Sequence, residues 1–80
     1  MNNRYIVVQN IYEFCNFSQI SFGIAYVVQD ENSIVVLQSI SDIVSDRKHI
    51  EKLVDLCNKC KLDPAHMADV VEDFLIEGLF

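Results

Sequence analysis

The chain has 80 residues, 51% of them apolar, with two glycines, one proline and no low-complexity run. A chain this short buries about 60% of the surface it exposes when unfolded, so it makes one domain spanning residues 1–80, and its composition excludes intrinsic disorder. Twelve acidic against six basic residues leave a net charge of −6, which excludes a protein that grips nucleic acid by neutralising phosphates and suits a soluble protein or one with basic partners.

The first twenty residues carry only Arg4 as positive charge, and Gln9, Asn10 and Glu13 break the apolar run, so the layout of a signal peptide is missing. Residues 14–29 form the longest uncharged stretch, but Asn16, Ser18, Gln19 and Ser21 make it too polar, and its length too short, to span a bilayer. Three cysteines, an odd number, point to reduced thiols and a cytoplasmic location.

Strands are expected within residues 4–40. Tyr5-Ile6-Val7-Val8 and Ile11-Tyr12-Glu13-Phe14 read as a first strand, turning near Asn16 to Gln19. Every even position from Ile20 to Val28 is apolar, the signature of a strand with one face in a core. Gly23 inside it marks a bulge or a close backbone approach. Asp30-Glu31-Asn32-Ser33 is a cluster of turn formers, after which Ile34-Val35-Val36-Leu37 closes a hairpin as a third strand.

From residue 45 the period becomes helical. Ser45 or Asp46 caps a helix over about 46–61, with Ile50, Leu53, Val54 and Cys57 on its apolar stripe. Asp63-Pro64 starts a second helix over about 64–77, because the aspartate accepts an orphan N–H and proline has none to lose. Its stripe is Met67, Val70, Val71, Phe74 and Leu75, and Gly78 is placed to stop it. The expected fold is α+β: a three-stranded antiparallel β-meander followed by a two-helix hairpin packed on one face.

Phe22-Gly23-Ile24, Ser41-Asp42-Ile43 and, above all, Leu62-Asp63-Pro64-Ala65-His66-Met67-Ala68-Asp69-Val70-Val71-Glu72-Asp73-Phe74-Leu75 give the chain a family resemblance. It resembles a family of small uncharacterised proteins from clostridial-type bacteria, sharing an aromatic-Gly-Ile strand and a C-terminal Leu-x-x-x-His-hydrophobic-x-Asp-Val-Val-Glu-Asp-Phe-Leu pattern. The similarity covers residues 22 to 75, the N-terminal third matching only in being strand-like. The resemblance implies a cytoplasmic bacterial protein of unknown function, with no catalytic residues to carry over.

Cys57-Asn58-Lys59-Cys60 has the spacing of metal and redox sites, and His66 follows across the helical connection. Tetrahedral zinc needs a fourth ligand, for which only Asp63 or the distant Cys15 is available. A redox thiol belongs at a helix N-terminus, whereas these sit near a C-terminal end. Both cysteines are therefore read as small packing residues, with no cofactor expected and Cys57, Cys60 and His66 kept as the metal candidates. His49 lies about 12 Å along the helix from Cys57 and cannot pair with it, and His66 near Cys60 lacks an orienting group, so no enzyme is expected.

Asp69, Glu72 and Asp73 fall on one helical face with Glu77 a turn beyond, and residues 62–80 hold five acidic and no basic side chains. The plain reading is a solvated face; the functional one is an acidic docking surface. Five of the six basic residues lie on the first helix, interleaved with Asp46, Glu51 and Asp55. With one helical layer, the second sheet face should present Ala25, Val27, Val35 and Leu37, together with Val7 and Ile11, as an apolar patch.

These residues lead to a cytoplasmic protein-interaction or regulatory domain that forms a homodimer through its sheet, or takes a protein partner, contacting neither nucleic acid nor membrane directly. The interaction residues are Val27, Val35, Leu37, Asp69, Glu72, Asp73 and Glu77. Two alternatives stand beside it: an acidic inhibitor, for instance phage-derived, that mimics nucleic acid in a basic groove, and a metal-binding regulator.

Overall fold

The computed structural model describes residues 2–77, with side chains through Ile76. Strands β1 (Asn2–Phe14), β2 (Phe17–Gln29) and β3 (Ile34–Val44) form an antiparallel meander in the order β1-β2-β3. Helix α1 (Arg47–Cys60), a 3-10 turn (Pro64–His66) and helix α2 (Met67–Glu77) follow. The expected α+β architecture is the one observed, as a plate 19 Å thin and 43 Å long.

Local chemistry accounts for the helix ends. The Asp46 side chain accepts from the Lys48 amide and Asp63 from the Ala65 amide, each satisfying a donor the first turn leaves orphaned. At the end of α1, Lys61 turns left-handed (φ 50°) and the Leu62 amide reaches back 3.0 Å to the Cys57 carbonyl, the six-to-one bond of a Schellman ending. Gly78, expected to stop α2, lies outside the described residues.

Ile50, Leu53, Val54 and Cys57 of α1 are buried as their spacing requires. They join Met67, Val71 and Phe74 of α2 on a sheet face built from Tyr5, Phe22, Ile24 and Ile43. Val70 is half-buried, whereas Leu75 is exposed and leaves the expected stripe. The His49 ring packs 4.6 Å from that of Phe74, linking the two helices.

The sheet is longer than the sequence suggests. It begins at Asn2, and β3 continues through Ser41, Asp42 and Ile43 to Val44. The first turn is Cys15-Asn16 rather than 16–19, because Cys15 takes φ 47° and supplies the positive φ that a two-residue hairpin connection favours. The second turn is where Asp30 put it: its carboxylate accepts from the Asn32 and Ser33 amides, 2.9 Å each, and these bonds lower its pKa.

Gly23 marks the close approach its position suggests. The β2–β3 register shifts between Phe22 and Ile24, where Asp42 adopts φ 59° and the β3 backbone folds over the glycine. A Cβ at Gly23 would lie 2.2 Å from the Ile40 carbonyl oxygen and 2.8 Å from the Ser41 Cα, both backbone atoms. Gly23→Ala should therefore destabilise the fold by about 3 kcal/mol, the upper range for overpacking. Urea denaturation measures it, and an unchanged midpoint would contradict the close approach.

Candidate interaction surface

Register decides which residues look outward. Directly opposed residues share a face, so Tyr5, Val7 and Ile11 lie with Tyr26, Ile24 and Ile20 on the helical side. Val7 packs against the core, which removes it from the second face where it was expected; Ile11 follows the same parity. Val35 pairs with Val28 and so also belongs to the helical side. Ala25 and Val27 do lie on the second face, but they are 1% and 0% exposed and present no patch.

Beside Ile6 and Val8, which oppose Ala25 and Gly23, the second face carries two polar contacts. Arg4 hydrogen-bonds Gln29 across Val27. The Tyr12 hydroxyl sits 2.7 and 2.8 Å from the Asp42 carboxylate oxygens. That bond lowers the Asp42 pKa, helped by Ser21 and Asn10, and raises that of Tyr12.

Exposed apolar surface is concentrated on β3 and falls on both faces, since Ile34 and Val36 oppose Gln29 and Val27 on the second face while Val35 looks to the helical side. Ile34, Val35, Val36 and Leu37, four consecutive residues of β3, are 52%, 50%, 57% and 60% exposed. β3 is an edge strand, and another register shift lies at Tyr26/Val27, beside Leu37. A second apolar stretch lines the β1–β2 hairpin tip, where Phe14 and Phe17 stand 5.9 Å apart. Val35 and Leu37 were legible as surface residues; Ile34 and Val36 were missed because alternation assigned only every second residue outward.

The opposite edge is capped at one residue. Asn58 of α1 accepts from the Tyr5 amide at 2.7 Å and donates to the Tyr5 carbonyl at 3.0 Å, so its side-chain amide pairs with β1 as a neighbouring strand would. The Tyr5 hydroxyl donates to the Leu62 carbonyl at 2.6 Å.

Asp69, Glu72 and Asp73 are exposed on α2, while only the backbone of Glu77 is described. Cys57 is buried, Cys60 and His66 are exposed, and these three are not brought together: among the described residues no group of three His, Cys, Asp or Glu side chains could hold a metal ion. A concavity of about 450 Å³ between β1 and the end of α1 is lined by Arg4, Tyr5, Cys57 and Lys61 among others. Burial, reinforced by Cys60, pushes the Cys57 thiol up to about 11, so at neutral pH it carries its proton. No described helix is long and apolar enough to cross a membrane.

These features define a two-layer α+β domain whose sheet edges differ, β1 being capped by α1 at Tyr5 and β3 carrying the exposed apolar run. The chain belongs to DUF6514, a family of unknown function, whose pattern matches residues 1–77. That match takes in the N-terminal strand, beyond the 22–75 reach of the sequence resemblance. No curated protein and no solved structure matches the chain.

Thiol titration should show Cys15 and Cys60 reacting promptly in the native state and Cys57 only on unfolding; prompt reaction of all three would contradict the burial of Cys57. Burial also raises Tyr5 from 10.0 to about 12, with Cys57, Tyr26 and Asp63 adding to it. Tyr5 and Cys57 thus bind their protons more tightly folded than unfolded, and the stability they contribute is complete below the unfolded values of 9.0 and 10.0. It drains as pH rises toward about 11 and 12, so the urea midpoint should fall across that window. A midpoint flat to pH 12 would refute the assignment.

Proposed function

We propose that this protein is a small, non-enzymatic interaction domain of the bacterial cytoplasm that self-associates through its sheet. The observation carrying this reading is the run of exposed apolar residues Ile34–Leu37 on an open edge strand, in a chain whose helices occupy one sheet face. Solvating four adjacent aliphatic side chains is costly, and such patches on small domains mark contact surfaces. The exposed thiols of Cys15 and Cys60 support a reducing compartment, and the bacterial setting rests on the sequence resemblance. The exposed carboxylates of α2 give the assembled protein a surface suited to a basic partner.

Light scattering coupled to size exclusion tests the self-association. Between about 10 μM and 1 mM, the window for micromolar affinity, the mass should rise from 9.2 kDa towards twice that. Asp69→Lys with Asp73→Lys should leave that rise intact. A monomer throughout would overturn the reading.

A further inference from the structure

We propose that the outer edge of β3, bordered by the acidic α2, takes up an extended cationic segment of another protein as an added strand of the sheet. This goes beyond the self-association proposed above and does not rest on it. Both draw on Ile34–Leu37, so such a segment and a second copy compete for that edge.

Charge in this chain is divided by position. All six basic residues lie on β1 or on α1 and its cap: Arg4, Arg47, Lys48, Lys52, Lys59 and Lys61. Residues 17–44 and 62–77 hold eight acidic residues and no basic one. α1 lies chiefly on β1, whereas α2 meets the sheet at β3, so the fold keeps the two populations apart. The excess negative charge is gathered around β3: Asp30 and Glu31 precede it, Asp42 stands near its end, and Asp69, Glu72 and Asp73 are exposed on the neighbouring helix.

The two edges therefore differ in what they attract. At β1, Arg4 is exposed and Arg47 hydrogen-bonds Gln9, which sets cations along that strand. A cationic segment is repelled there and drawn to β3. On its outer side β3 has no sheet neighbour among the described residues, and over Ile34–Leu37 it carries no lysine, proline or charge to obstruct pairing. Its exposed side chains alternate, Ile34 and Val36 to the second face and Val35 to the helical side. An added strand uses that arrangement: main-chain bonds supply affinity and alternate side chains supply selectivity, so the contact need not bury the area of a standard interface. The fitting occupant sets apolar residues against Ile34–Leu37 and flanks them with lysine or arginine.

The test adds the peptide acetyl-Lys-Lys-Val-Thr-Val-Thr-Val-Lys-Lys-amide to the isotope-labelled full chain at about 10 μM, and follows the backbone amides by NMR with Kd expected near 100 μM. Amides of Ile34–Leu37 and of α2 should shift, and ~0.5 M salt should weaken binding at least threefold by screening. The same peptide with glutamate for every lysine should bind at least tenfold more weakly. Val36→Lys, at an exposed position, should keep the fold by circular dichroism and weaken binding at least tenfold. Asp69→Lys with Asp73→Lys, both exposed, should weaken it at least threefold. Successive main-chain donors of an extended peptide point to opposite edges. N-methylating both threonines, or instead the central valine, should therefore abolish binding in one case and spare it in the other. A peptide that does not bind, binds as well with glutamates, tolerates both methylations or shifts α1 or the hairpin tip instead overturns the proposal, and leaves the light-scattering test of self-association untouched.

Discussion

The docking of α1 on β1 through Tyr5 is the contact on which the arrangement of everything else depends. Tyr5 contributes its ring to the core beside Tyr26, its hydroxyl to the Leu62 carbonyl and its own backbone to Asn58. The Leu62 carbonyl lies just past the Schellman ending of α1, so one tyrosine ties a strand, a helix and the connection to α2. A buried hydroxyl needs a partner, and a bare strand edge is a hazard; this junction satisfies both requirements at once. It also pins α1 beside β1, which leaves β3 as the edge without a helix-borne partner.

How much of this could be read from the sequence depended on whether the determining signal was local. Asp46, Asp63 and Pro64 fix helix starts through atoms two or three residues away, and the 3.6-residue stripe of Ile50, Leu53, Val54 and Cys57 needs no knowledge of the partner surface. The acidic residues Asp69, Glu72 and Asp73 lie outside for the same reason, because Met67, Val71 and Phe74 claim the inner face. Gly23 was legible too, since an isolated glycine within alternating residues asks for a close neighbour. The neighbour itself, the bulged backbone at Ile40 and Ser41, was not.

The second sheet face was misread for want of register. Val7 and Ile11 sit in an unbroken β1–β2 ladder and Val35 pairs with Val28 on the turn side of both β3 shifts, so their face is set by the residue across the ladder, which alternation within a single strand does not reveal. The positive φ of Cys15 was hidden because cysteine has no preference for it; that of Asp42 falls on a residue type that tolerates it, but within a run of strand formers. Cys57-x-x-Cys60 illustrates the converse: a suggestive spacing that helical geometry divides, turning one sulfur into the core and the other to solvent.

Length imposes the final asymmetry. Thirteen residues of β-strand reach about 43 Å, whereas the fourteen residues of α1 rise only about 21 Å, so a single layer of short helices cannot cover strands of this length. The uncovered end is the β1–β2 hairpin, where every residue from Ile11 to Ile20 is exposed. Its tip is held by the facing Phe14 and Phe17 rings rather than by core packing. The helices cover the sheet around Tyr5, Phe22 and Ile24, and both the hairpin tip and Ile34–Leu37 fall outside the buried cluster. The open surface of this protein is therefore a consequence of building long strands and short helices from eighty residues, with α1 capping β1 at Tyr5 and leaving Ile34–Leu37 of β3 exposed.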